Sequence, residues 1–122
     1  MASLPRTVLA VVTIGLVALV AASTAAAASA KKCDISTVAT TLGPTRVTSL
    51  SVTRTTCSGG VAIVKAYHVC RTAKGISGRC VKKVKGYACR EVRTTSPAEF
   101  SASVTCVKGK AVVKHAYRQA LA

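Results

Sequence analysis

Tryptophan and asparagine are absent from the 122-residue chain, phenylalanine occurs once and tyrosine three times. Only three side chains carry a carboxylate, Asp34, Glu91 and Glu99. So few aromatics leave no row on which nucleic-acid bases could stack. So few carboxylates leave little material for paired acid–base chemistry or a hard-cation site. There is no C-x-x-C or other closely spaced cysteine pair, which removes the usual zinc and redox signatures. No motif for catalysis, metal or nucleotide binding stands out, and no cofactor is expected.

Charge is also missing from the start of the chain. Arg6 is the only charged residue before Lys31, and Val8 to Val20 is an apolar run. Ala28-Ser29-Ala30 then places small residues where a signal peptidase reads. Residues 1–30 therefore read as an export signal. The competing reading, a retained anchor, has enough length, but the second half of the stretch is mostly Ala, Ser and Thr and adds little insertion energy. Residues 31–44 read as a polar lead-in closed by Gly43-Pro44, and residues 45–122 as a small domain.

What remains after residue 30 is strongly basic: 17 Lys plus Arg against three carboxylates, a formal charge of +14 over 92 residues. All six cysteines, Cys33, Cys57, Cys70, Cys80, Cys89 and Cys106, fall in this part. An even count in a small exported chain reads as a disulfide framework. Spacing narrows the 15 pairings that six cysteines allow. Cys57 and Cys70 are 13 residues apart, and a helix between them would separate their Cα atoms by ~20 Å where a disulfide needs less than ~7 Å. A hairpin would put Cys57 at its turn and Cys70 at the far end, so that pair is excluded either way. Cys70 and Cys80 flank a glycine-containing loop and can meet. Cys89 and Cys106 lie opposite each other if the chain folds back near residues 97 and 98. Cys33 then pairs with Cys57.

Along the domain, Thr45 to Thr56 has the Thr/Ser/Val composition of a strand, ended by Ser58-Gly59-Gly60. Val61 to Arg71 fits two patterns. Val61, Ile63, Tyr67 and Val69 suit a strand; Val64, Tyr67 and Cys70 suit a helix capped by Ser58. Lys74-Gly75 and Ser77-Gly78 mark a loop. Val81 to Arg93 reads as a strand interrupted at Gly86, Thr94 to Pro97 as a turn, and Phe100 to Val107 as a strand with Phe100, Ala102, Val104 and Cys106 on one face. Lys108-Gly109-Lys110 turns into a last strand, Ala111 to Tyr117.

Several short stretches have a familiar order: Thr56-Cys57, then Val64-Lys65-Ala66-Tyr67, then Gly86-Tyr87-Ala88-Cys89, then Val104-Thr105-Cys106-x-x-Gly109, then Val113 to Tyr117. In these the chain resembles small exported domains of high-GC Gram-positive bacteria, over about two-thirds of the part after residue 30. The resemblance implies a helix after Cys57 followed by three antiparallel strands, and brings no catalytic residues. The fold expected is α+β, one helix on a small antiparallel sheet stapled by disulfides, with an all-β arrangement as the alternative.

The densest cationic run is Arg79-Cys80-Val81-Lys82-Lys83-Val84-Lys85. As a strand it would place Arg79, Lys83 and Lys85 on one face with Lys82 opposite, and these four are the candidate anion-binding residues. His68 and His115 read as core or surface residues, and Glu91 as a surface ion pair between Arg90 and Arg93. The function expected is extracellular, non-enzymatic binding to an anionic envelope polymer or lipid surface, with no specific nucleic-acid ligand. Two alternatives are a protease inhibitor presenting the Cys70–Cys80 loop and a cationic membrane-active protein. Export predicts a processed chain beginning at Lys31, which N-terminal sequencing of secreted material checks; a start at Met1 would mark the segment as an anchor.

Overall fold

The computed structural model describes residues 28–121, together with Ser3 and Gly15. The export signal expected over residues 1–30 therefore falls almost wholly outside the described residues. Five strands and one helix follow in the order β1 (Lys31–Lys32), β2 (Thr45–Thr53), α1 (Cys57–Thr72), β3 (Ala88–Thr95), β4 (Glu99–Lys108) and β5 (Ala111–Ala120). The strands form one antiparallel sheet in the order β1-β2-β5-β4-β3. The helix covers one face of it. This is the α+β arrangement; the all-β alternative is excluded, because residues 57–72 are helical throughout.

Why residues 57–72 become a helix follows from their inner face. Gly60, Ile63, Val64, Tyr67, His68 and Arg71 are buried, spaced by three and four residues as one helical stripe requires. The cap is Thr56 rather than Ser58: its hydroxyl accepts from the Gly59 N–H at 3.0 Å. Cys57, the first helical residue, is bonded to Cys33, so the helix entry is fixed two residues earlier than a Ser58 cap would allow. Glycine at position 60 weakens the first turn but admits a close approach. A Cβ there would lie 2.6 Å from Val52 Cγ1 on β2.

The inner sheet face is read in four rows across the strands. Cys89, Cys106, Val113 and Val52 form one, and Glu91, Val104, His115 and Leu50 the next. Arg93, Ala102, Tyr117 and Val47 follow, then Thr95, Phe100, Gln119 and Thr45. On β2 the inner residues change parity, from Thr45 and Val47 to Leu50 and Val52. A bulge between Val47 and Ser49 absorbs the extra residue, so both halves face the helix.

The three disulfides are Cys33–Cys57, Cys70–Cys80 and Cys89–Cys106, the pairs that spacing selects. The first two hold the two ends of α1, and the third joins β3 to β4 at directly opposed positions. Three such bonds indicate a chain that folds in an oxidising environment. Among the described residues no helix is long and apolar enough to cross a membrane.

Two stretches differ from expectation. Residues 31–44 are more than a polar lead-in: Lys31 and Lys32 pair with β2, and Val38 is fully buried in the core. Residues 81–87 are not a strand. Only the Val84–Tyr87 bridge is regular, and Lys85 turns through a positive φ of 47° before Gly86 at 83°. That tight bend buries Val84 and Tyr87 against the core and delays β3 to Ala88.

The close contact at Gly60 predicts that Gly60→Ala destabilises the domain by about 1–2 kcal/mol, the overpacking cost exceeding the gain in helix propensity. Urea unfolding of the single variants and of Gly60→Ala with Val52→Ala tests it. Gly60→Ala should cost clearly less in the Val52→Ala background, and an equal cost would remove Val52 as the cause.

Candidate functional site

Two groups of residues have the chemistry to act: a polar cluster under the helix and the cations outside. The cluster is built from α1, β2, β3 and β5. Arg71, 1% exposed, donates through Nε to His68 Nδ1 at 3.0 Å and through Nη2 to Thr45 Oγ1 and Gln119 Oε1 at 3.0 and 2.9 Å. Its Nη1 donates to the Ile76 carbonyl, and the guanidinium lies 4.6 Å from the centre of the Tyr117 ring. Thr45 donates its own proton to Gln119 Oε1 at 2.6 Å.

These bonds fix the histidine tautomers. Because Arg71 donates to His68 Nδ1, the His68 proton sits on Nε2. That proton points at His115 Nε2, 3.0 Å away, so the His115 proton sits on Nδ1. His115 Nδ1 is buried with no hydrogen-bond partner among the described residues. Burial lowers His68 to about 3, helped by its neighbours His115 and Arg71. Burial likewise lowers His115 to about 4, Glu91 partly opposing it. Both imidazoles are neutral at pH 7.

Glu91 is the cluster's anion. Oε1 accepts from the Tyr67 hydroxyl at 2.8 Å and from the Tyr117 hydroxyl; Oε2 accepts from Arg93 Nε and from Arg79 Nη1 at 3.3 Å. Burial alone would raise this carboxyl, but the bonds from Tyr117, Tyr67 and Arg93 outweigh it and hold it below its ordinary value. Burial and the same carboxylate raise both tyrosines. The expected surface pair between Arg90 and Arg93 is thus corrected. Glu91 alternates onto the inner face, its side chain 5% exposed, while Arg90 points to the opposite face. Arg93 also donates to the Ser77 and Gly78 carbonyls, drawing the loop after the helix onto β3.

The Cys70–Cys80 loop is held at both ends, and Lys74 within it is exposed. Arg71 is buried, and Arg79 is paired with Glu91. Between them the chain runs through two hydrogen-bonded turns, Thr72 to Gly75 and Gly75 to Gly78. Gly78 packs so tightly on the Arg71 carbonyl that a Cβ would stand 2.0 Å from it.

On the outside, Lys82, Lys83 and Lys85 are exposed, but on a bend rather than one face of a strand, and Arg79 is turned toward Glu91. Val81, between these cations, is 96% exposed. The structure therefore does not gather the four candidate residues into one site. It does gather cations that are scattered in the sequence. The sheet face away from the helix carries Lys32, Arg46, Arg90, Lys114 and Arg118, all exposed. Pairing register alone brings them together, and the sequence pattern singled out none of them. Hydroxyls of Ser49, Ser51, Ser101, Ser103 and Thr105 lie between, and three shallow concavities open on this face. Among the described residues no group of three His, Cys, Asp or Glu could hold a metal ion. Compared with protein-family models, curated proteins and solved structures, the chain finds no match.

The buried neutral histidines set a pH dependence. Their folded pKa values lie below the unfolded ~6.5, so the stability they confer is full above that value and is lost as pH falls toward about 4 and then 3. Unfolding at pH 5 should take up about two protons, read from the change of denaturant midpoint between pH 4.5 and 5.5. An uptake below about half a proton would mean that the two rings are charged or exposed in the folded protein.

Proposed function

We propose that the protein is an exported, non-enzymatic domain that binds an anionic polymer of the cell envelope or extracellular space. The observation that carries this is the distribution of charge. Of the 17 cations after residue 30, only Arg71 and Arg93 are withdrawn from the surface; the other 15 are exposed. Glu91 is buried and Glu99 faces Arg118 at 3.9 Å, so little negative charge offsets them. Such a surface attracts anions over a Debye length and releases counterions when it binds a polyanion.

The non-enzymatic part is supported by where the titratable side chains lie. His68 and His115 are each 3% exposed, and their ring nitrogens face Arg71 and each other. No substrate could meet them without unseating the helix. A lipid surface is the second reading, supported by Val81 standing fully exposed among Lys82, Lys83 and Lys85. That pattern has the apolar tip and basic collar of an interfacial contact.

Retention of the disulfide-bonded protein on immobilised polyglutamate and heparin tests the proposal. Binding should weaken steeply between 50 and 500 mM salt, about linearly on logarithmic axes. Binding that is absent at low salt, or unchanged at high salt, would overturn it. Vesicles of phosphatidylglycerol and phosphatidylcholine separate the two readings. Sedimentation with them that is lost in Val81→Ser, alongside weak retention on the polymers, would favour the lipid.

A further inference from the structure

We propose that the open sheet face binds an extended acidic polysaccharide laid across the strands, one anion per two sugars, along the line Arg90–Thr105–Lys114–Ser51–Lys32. The inference rests on the polyanion reading above and adds the site and the ligand class. These five residues are successive register partners on β3, β4, β5, β2 and β1. They form a straight row from one edge of the sheet to the other. Cations and hydroxyls alternate along it. Strands lie ~4.8 Å apart, so the cations recur at ~10 Å with a hydroxyl midway. That interval is close to the length of a disaccharide unit in an extended glycan.

The surroundings favour this ligand over others. In the next row Ser103, Ala116 and Ser49 are small side chains that let a chain lie flat, two of them with hydroxyls that can bond to sugar hydroxyls, while Val92 stands 72% exposed at the β3 end. A concavity of about 460 Å³ opens beside the Lys114–Lys32 half, lined by Ser49, Ser51, Ser103 and Thr105. Tyr67, Tyr87, Tyr117 and Phe100 are all buried in the core, so the face has no ring on which a base or a neutral sugar could stack. Docking of a second copy through the same face would set cation against cation.

Row position also explains why these cations are available. Arg118, two rows away from this line and beside Arg46, has Glu99 at 3.9 Å. None of Arg90, Lys114 and Lys32 has an ion-pair partner among the described residues. Asp34, close to the Lys32 end in sequence, accepts from the Ser36 N–H within its own turn.

Oligomers of hyaluronan, which alternate a uronate with a neutral amino sugar, are the probe, with polyglutamate as a sugar-free polyanion. Calorimetry at several salt concentrations from about 50 to 200 mM compares three variants of the disulfide-bonded protein. Lys32→Gln/Arg90→Gln/Lys114→Gln should weaken hyaluronan binding at least tenfold and lower its salt slope by about two to three. Lys82→Gln/Lys83→Gln/Lys85→Gln should change it less than threefold. Ser51→Ala/Thr105→Val should weaken hyaluronan but leave polyglutamate within twofold. The altered residues are exposed or half-exposed, and unchanged urea midpoints would confirm that the variants fold. Loss confined to the Lys82–Lys85 variant would place the site on the loop and overturn this inference while leaving the polyanion reading intact. Equal loss of both probes in the row variant, with no effect of removing the hydroxyls, would overturn the glycan as ligand. Failure of the unaltered protein to bind either probe would overturn the polyanion reading itself.

Discussion

Arg71 carries a positive charge into the space between helix and sheet, and much of the interior is arranged to solvate it. A buried guanidinium without partners costs several kcal/mol. Here its donors meet an imidazole, a hydroxyl, an amide oxygen and a main-chain carbonyl, drawn from α1, β2, β5 and the following loop. Glu91 balances the charge from β3 and is itself held by four donors. The docking of the helix is therefore directional. Apolar contacts through Ile63, Val64 and Tyr67 supply the burial, while the polar partners fix which turn of the helix meets which row of the sheet.

The same economy shapes the outside. Among the described residues there is one helix, and it covers one sheet face. The uncovered face must satisfy itself in water, and its Ser, Thr, Lys and Arg do so. The disulfides at the two ends of α1 restrain the unfolded chain at the one element whose loss would expose the polar cluster. Stability and a free, cationic sheet face are thus two outcomes of one division of labour.

Much of this architecture is legible in the sequence. Phe100, Ala102, Val104 and Cys106 alternate cleanly, and a turn at Ser96-Pro97 sets Cys89 opposite Cys106. The helix was harder. Its buried stripe contains Gly60, His68 and Arg71, which a hydrophobic pattern scores as breaks, so tertiary partners rather than periodicity make it a face. The basic stretch Arg79 to Lys85 failed as a strand because burial of Val84 and Tyr87 around a tight bend outweighs its β-forming composition. The candidate site was illegible for a simpler reason. Lys32, Ser51, Arg90, Thr105 and Lys114 span more than eighty positions and touch one another only through register.

Register on β2 depends in turn on one surplus residue. The bulge between Val47 and Ser49 allows Thr45 and Val47 to share a face with Leu50 and Val52. Were the same residues paired without the bulge, the strand would run in a single alternation from Thr45 to Thr53. One half would then surrender either Thr45 to solvent and the Arg71 guanidinium to a missing partner, or Leu50 and Val52 to water. Thr48 and Ser49 together fill one place, opposite Ala116, so a strand one residue shorter would keep Thr45, Val47, Leu50 and Val52 on the helix side with no bulge at all.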